Sequence, residues 1–108
     1  MTQFAEHFRI MQRTAHNNSQ SKGFWEDYDK ALEILEGYDE TTGSSVGDAV
    51  RDAFWAQKLK LMGDELAEAN EALRSGNPPS VKAEGFTQLE EELADLVIRM
   101  WDFAGRLN

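Results

Sequence analysis

The sequence predicts an all-α fold, a small bundle of about four helices in a single domain that spans residues 1–108. Apolar residues recur at helical spacing, and no segment keeps the strict alternation that a half-buried strand requires. Clusters of turn-forming residues divide this apolar pattern into four stretches. A chain of 108 residues is long enough to build a core alone or with a partner.

The first half of the chain predicts two helices. Residues 3–18 carry aromatic residues at helical spacing and predict a first helix, with Gly23 as its stop. Residues 24–37, FWEDYDKALEILEG, predict a second helix that ends at Gly37. The following segment DETTGSSVG, residues 39–47, is rich in turn formers and predicts a loop.

The second half predicts two further helices. A long third helix, capped by Asp48 or a neighbouring residue, is expected to run to about Arg74. The loop SGNPPSVKAEG follows, because two adjacent prolines cannot continue a helix. Thr87 is the expected N-cap of the last helix, and Glu90 three residues later completes a capping box.

Composition excludes several classes of function. The net charge of −9 argues against nucleic acid as a partner, because a phosphate backbone would be repelled. There is no cysteine, which excludes disulfides and thiolate metal sites. No apolar run approaches the ~18–20 residues of a membrane span, and the first residues lack the layout of a secretory signal. We therefore expect a cytoplasmic protein without a membrane partner.

Two pairs of acidic residues lie beside apolar strips. In an ordinary surface helix, acidic residues would lie on the face opposite the apolar strip. At 100° per residue, Glu65 and Glu68 border a strip on the third helix, and Glu92 and Asp95 border one on the last helix. The two strips are expected to pack together as the core. They consist of Leu59, Met62, Leu66, Ala69 and Leu73 on the third helix and of Leu89, Leu93, Leu96, Met100, Phe103 and Leu107 on the last.

If the strips pack together, the four carboxylates converge, and either their pKa values rise or cations occupy the space between them. Mg²⁺ suits such a site because it prefers oxygen ligands and keeps waters, and Mn²⁺ is a possible substitute. Zinc and di-iron are disfavoured, since cysteine is absent and neither His7 nor His16 follows a Glu by three residues. On spacing alone, a solvated acidic surface stays the alternative.

These acids carry a family resemblance. The chain resembles the MazG-like all-α nucleoside triphosphate pyrophosphohydrolases, whose signature is E-E-x-x-E followed after a variable gap by E-x-x-D. The two parts read DELAE at residues 64–68 and ELAD at residues 92–95. The likeness covers most of residues 57–105, and AHNNSQSKGFW near the N-terminus also matches one branch. It fades over residues 26–50.

The resemblance implies a reaction and its residues. A nucleoside triphosphate, with ribose or deoxyribose, would be cleaved between its α- and β-phosphates to the monophosphate and pyrophosphate. Glu65, Glu68, Glu92 and Asp95 match the magnesium-binding positions and would form the catalytic centre. One departure is Asp64, which stands where the signature has Glu; the helical spacing turns it away from the other acids.

Several neighbouring residues are candidates for substrate binding. Lys58 precedes Glu65 by two helical turns on the same strip, and Arg99 follows Asp95 by one turn, so both are placed to meet a phosphate. The alternatives are a surface lysine packed along Phe54 and an arginine that neutralises the acids. The residues expected from the N-terminal segment are Lys22 for phosphate, Phe24 and Trp25 for stacking on the base, and His16 and Asn18 near the same pocket. For these the alternatives are core packing and an ordinary helix surface.

The sequence also bears on the oligomeric state, and it leaves several alternatives for the function. The last helix has a second apolar patch, formed by Ala94, Val97, Ile98 and Trp101, which predicts a partner subunit related by two-fold symmetry. The family resemblance implies a homodimer or homotetramer of helical bundles. Within that superfamily, the alternatives are a dUTP or dCTP pyrophosphatase and a phosphoribosyl-ATP pyrophosphohydrolase. Outside it, the alternative is a non-enzymatic acidic helical module that binds a partner protein.

Overall fold

The computed structural model describes residues 2–107 and confirms the all-α prediction. It contains four helices, α1 (Gln3–Ser21), α2 (Glu26–Thr42), α3 (Val46–Arg74) and α4 (Gln88–Leu107). No strand occurs among the described residues, although Pro79 and Thr87 form an isolated antiparallel bridge. Nor does any helix within this range combine the length and apolar character needed to cross a membrane.

Helix α4 organises the arrangement because it packs against both α1 and α3, while α2 packs against α3. The molecule measures 56 × 35 × 23 Å, and its radius of gyration of 17.4 Å exceeds the ~13 Å typical of a compact domain of this length. Its buried apolar side chains are correspondingly few: Trp25, Tyr28, Ala69 and Ala72. A single chain therefore has an elongated shape and a small core.

The predicted end of the second helix is wrong. Helix α2 continues through Gly37 and ends at Gly43, whose φ of 72° gives the left-handed conformation that closes a helix. The carboxylate of Asp39 explains the continuation, because it accepts hydrogen bonds from the backbone N–H of Val46 (3.1 Å) and of Gly47 (2.7 Å). One side chain near the end of α2 thus caps the start of α3.

The connection between α2 and α3 is also shorter than predicted, because Asp39 holds the two helix ends together. Most of the loop expected over residues 39–47 is helical, and only residues 43–45 separate α2 from α3. Asp48 lies in the first turn of α3 and is not its cap. A hydrogen bond from the Ser44 hydroxyl, together with the Gly47 N–H, holds the pKa of Asp39 below its ordinary value. The turn is therefore closed by an ionised carboxylate.

The start of α4 is fixed as predicted. The Thr87 N–H donates to Glu90 Oε1 (3.1 Å) and the Glu90 N–H donates to Thr87 Oγ1 (3.2 Å), which confirms the capping box. In addition, the Leu89 N–H donates to Oδ1 of Asn77 (2.9 Å), a residue held at a φ of 50° just after α3. Asn77 therefore attaches the first turn of α4 to the end of α3.

The prediction that the two apolar strips form the core holds only in part within one chain. Ala69 is buried, and four other strip residues are half-buried: Met62, Leu89, Leu96 and Phe103. Leu66 and Leu73 are 58% and 60% exposed, and Leu93 is 42% exposed. Among the other strip residues, Leu59, Met100 and Leu107 are also exposed. The reason is the rotation of α3, which buries Glu65 and the small Ala69 and leaves the leucines of its apolar strip exposed. This rotation carries the acidic edge of α3 inward.

Candidate metal centre and adjoining cavity

Carboxylates from α3 and α4 converge at the contact between these helices. Glu65, Glu68 and Glu92 each offer one oxygen atom, and the three oxygens lie within 4.8 Å of one another. Glu92 belongs also to a second group with Glu91 and Asp95 that meets the same distance limit. The four acids singled out from spacing thus lie in two linked groups that share Glu92. We call these five residues the carboxylate cluster.

Hydrogen bonds satisfy only part of the cluster. Arg99 Nε donates to Glu65 Oε1 (2.9 Å), and Gln88 Nε2 donates to Glu92 Oε1 (2.6 Å). The other oxygen of each glutamate, Oε2, is buried and has no hydrogen-bond partner among the described residues. A buried carboxylate oxygen without a partner is energetically costly, and a hard divalent cation is the ligand that such oxygens accept. The donor set therefore fits a cation such as Mg²⁺.

Proximity of the acids perturbs their proton affinities. Burial, with the neighbouring Glu68 and Glu65, raises the pKa of Glu92 to about 7. Burial also acts to raise the pKa of Glu65, but the hydrogen bond and charge of Arg99 hold that pKa below its ordinary value. For Asp95, burial and the negative charge of Glu65 raise the pKa. Without a cation, Glu92 therefore ionises only as the pH passes about 7.

Glu91 is a member of the cluster that spacing did not identify. It is buried, and its carboxylate accepts hydrogen bonds from the Ser80 hydroxyl (2.7 Å) and from Gln88 Nε2 (2.8 Å). The hydrogen bond from Ser80 keeps the pKa of Glu91 below its ordinary value. Ser80 lies in the loop before α4, so no helical repeat reveals the pair. Glu91 is distinguished from Glu90 by its hydrogen bond with the half-buried Ser80, and this contact is visible only in the folded structure.

A cavity of about 440 Å³ adjoins the cluster. Its walls are formed by Phe24, Asp27, Tyr28, Phe54, Gln57, Lys58, Leu61, Arg99 and Asp102. Arg99 lines the cavity and also donates to Glu65, so the cavity opens beside the carboxylates. Lys58 Nζ lies 4.5 Å from the ring centroid of Trp25, a cation–π contact that orients the ammonium group. Three of the substrate-binding candidates, Phe24, Lys58 and Arg99, are therefore brought together here.

The remaining candidates lie elsewhere. Trp25 is 1% exposed, and its Nε1–H donates to Asp102 Oδ1 (2.9 Å). His16 Nδ1 lies 2.9 Å from the same oxygen, so both rings are held behind the cavity wall that Asp102 forms. Asn18 and Lys22 are exposed and do not line this cavity. Sequence reasoning missed Asp102, because its two donors are far away in the chain.

Asp64, the departure from the signature, does not join the cluster. It is exposed, and its carboxylate forms an ion pair with Lys60 Nζ (3.0 Å) one turn earlier on α3. Exposed pairs of this kind contribute little to stability. The position is thus a solvated part of the α3 surface.

No family model, curated protein or solved structure matches this chain. Buried carboxylates without hydrogen-bond donors stand beside a cavity that offers aromatic faces, an arginine and a lysine. Such an arrangement can hold a divalent cation and, next to it, an aromatic molecule that carries phosphate groups.

Proposed function

We propose that this protein is a magnesium-dependent nucleoside triphosphate pyrophosphohydrolase. It would cleave ribo- or deoxynucleoside triphosphates between the α- and β-phosphates to the monophosphate and pyrophosphate. The observation that carries the proposal is the convergence of Glu65, Glu68 and Glu92, in which two buried carboxylate oxygens have no donor among residues 2–107. The proposal includes a cytoplasmic location, where nucleoside triphosphates are made and consumed.

The chain's own residues support distinct tasks in this reaction. Glu65, Glu68, Glu92 and Asp95 would hold Mg²⁺, or Mn²⁺ in its place. The bound cation would neutralise phosphate charge and lower the pKa of the attacking water. Arg99 orients Glu65 through its 2.9 Å hydrogen bond and adds positive charge at the rim of the cavity. This arrangement would gather a polyphosphate beside carboxylates that would otherwise repel it.

The adjoining cavity supports a nucleoside as the other half of the substrate. Its volume of about 440 Å³ lies within the roughly 300–1,000 Å³ of small-molecule sites. Phe24, Tyr28 and Phe54 supply aromatic surface on which a base can stack, and Lys58 supplies a cation for a phosphate. Aromatic stacking tolerates many bases, so base preference would depend on the polar residues Asp27 and Gln57.

The decisive experiment measures pyrophosphate release from a panel of ribo- and deoxynucleoside triphosphates, with and without Mg²⁺. Phosphoribosyl-ATP, dUTP and dCTP belong in the panel, because they separate the alternative activities of the same superfamily. We expect Mg²⁺-dependent turnover that falls roughly 10–100-fold in Glu68→Gln and is unchanged in Glu71→Gln, an exposed acid one turn away. If no triphosphate turns over while circular dichroism reports intact helices, the enzyme proposal fails and a non-enzymatic module becomes the better explanation.

We also propose that the protein assembles as a homodimer or homotetramer. An open apolar groove between α3 and α4 is lined by Leu66, Leu73, Leu89 and Leu93. The four buried apolar residues found within residues 2–107 make a small core for one chain. A second copy related by two-fold symmetry would cover this groove. Sedimentation equilibrium at micromolar concentration tests this: Leu66→Asp should shift the population to monomer, and a wild-type monomer would contradict it.

A further inference from the structure

A second cavity, of about 480 Å³, lies between α1 and α4. Its lining consists of Arg9, Gln12, Arg13, His16 and Asn17 from α1 and of Gly105 from α4. Gly105 follows Asp95 by ten residues in the same helix, which corresponds to about 15 Å along the axis. This arginine cavity is therefore separate from the carboxylate cluster, and nothing in the proposed reaction uses it.

The two arginines in this cavity have no acidic partner. Within residues 2–107, neither Arg9 nor Arg13 forms an ion pair, although the chain carries 20 acidic residues. The other arginines, Arg51, Arg74, Arg99 and Arg106, all form ion pairs. Arg9 and Arg13 are one helical turn apart, so their like charges repel each other. An anion placed between them would remove that repulsion.

The floor of the cavity is formed by closely packed residues of α1 and α4. At Gly105, a Cβ atom would lie 2.7 Å from His16 Cβ and 2.9 Å from the backbone oxygen of Gln12, so only glycine permits this approach of α4 to α1. The buried His16 is held by its Nδ1, which lies 2.9 Å from Asp102 Oδ1, and by edge contact with Trp25. With Nδ1 directed at a carboxylate, Nε2 is the ring nitrogen that remains for a ligand.

We propose that the arginine cavity binds a small anion of the phosphate type. Guanidinium groups form paired hydrogen bonds with phosphate oxygens. Two arginines one helical turn apart can therefore bind one phosphoryl group from two sides. A nucleic acid strand does not suit the site, because the net charge of −9 repels an extended polyanion. A compact anion in the cavity between α1 and α4 would lie beside the exposed side chains of Arg9 and Arg13.

Isothermal titration calorimetry of the full chain at low ionic strength in EDTA tests the proposal. Pyrophosphate, inorganic phosphate and a nucleoside monophosphate serve as separate titrants, which distinguishes a free anion from a nucleotide phosphate. EDTA removes divalent cations, so the carboxylate cluster repels these anions and binding beside it is weakened. We expect one pyrophosphate per chain, with Arg13→Gln weakening binding about tenfold or more.

The matched control removes equal charge elsewhere. Arg9→Gln with Arg13→Gln takes the net charge from −9 to −11, and so does Lys60→Gln with Arg74→Gln on the exposed surface of α3. The first double variant should lose binding and the second should keep it. Equal losses in both variants, or no binding by the wild-type protein, would overturn the proposal.

A second measurement makes the result independent of any variant's folding. In the wild-type protein with EDTA, pyrophosphate should shift backbone amide resonances of residues 9–17 and of Gly105, and shifts centred on Lys58 and Arg99 would refute the assignment. The Glu68→Gln variant separates the two proposals. It should keep metal-free pyrophosphate binding whether or not it loses magnesium-dependent turnover.

Discussion

Raising the pH of the metal-free protein through 7 should weaken its fold, because Glu92 must then ionise inside the carboxylate cluster. The pKa of this residue is raised from 4.5 to about 7, and Glu92 is only 6% exposed. A group whose folded pKa is raised stabilises the fold below its unfolded pKa, and this contribution is lost as the pH passes the folded pKa. At about 1.4 kcal/mol per tenfold change in proton affinity, the whole loss is about 3 kcal/mol.

Between pH 5.5 and pH 8.5, the portion of this loss that can be measured is about 2 kcal/mol in the free energy of unfolding. Urea denaturation in EDTA at several pH values measures it. The informative quantity is the difference between the wild type and Glu92→Gln, because the contributions of all other groups cancel in it. Glutamine keeps the size and hydrogen bonding of a protonated glutamate and removes its titration. Glu71→Gln, on the exposed side of α3, should leave the pH dependence unchanged.

Addition of Mg²⁺ provides the complementary test. A cation competes with the proton on Glu92, so at pH 8.5 it should restore stability to the wild type and have little effect on Glu92→Gln. The reasoning is refuted if wild type and Glu92→Gln lose the same stability between pH 5.5 and pH 8.5 in EDTA. Equal stabilisation of both proteins by Mg²⁺ would refute the assignment of Glu92 as a ligand.

Three further substitutions test the packing that positions the site. Gly105→Ala should destabilise the protein by about 1–3 kcal/mol in urea because its methyl group would overlap His16, whereas Gly37→Ala, with no atom within 4 Å, should be neutral or stabilising. Asp102→Ala leaves two ring N–H groups without their acceptor and should cost about 2–4 kcal/mol by tryptophan fluorescence; a change below 1 kcal/mol would contradict that role. Asn77→Ala loses a helix cap and strains a left-handed residue, so thermal melts should report about 2 kcal/mol, and no change would show that the cap is dispensable.

The sequence predicts the helices of this fold well where local chemistry determines them. Thr87 and Glu90 form the expected capping box, because each partner lies within one helical turn of the other. The prediction fails at Gly37. The end of α2 and the start of α3 are determined by Asp39, whose carboxylate accepts a hydrogen bond from the N–H of Gly47, eight residues later. A glycine alone does not end a helix when another residue two turns later supplies a better cap.

The site is likewise predicted where its residues are close in the sequence and missed where their partners are distant. Helical spacing places Glu65 and Glu68 on one edge of α3, and that edge does face α4. Spacing cannot set the rotation of α3 about its axis, so it assigned the core to the leucines that remain exposed, such as Leu66. Glu91 and Asp102 were missed because their partners come from a loop and from other helices.

The single oxygen that accepts from both Trp25 and His16 has a consequence for how the protein opens. Oδ1 of Asp102 joins the end of α1, the start of α2 and the last turns of α4 at one atom. Local unfolding of any of these segments would strip the acceptor from the others, so they should open as one cooperative unit. Hydrogen exchange at the Trp25 indole and at the α1 amides beside His16 should therefore report the same opening free energy, higher than that of the exposed first turn of α1.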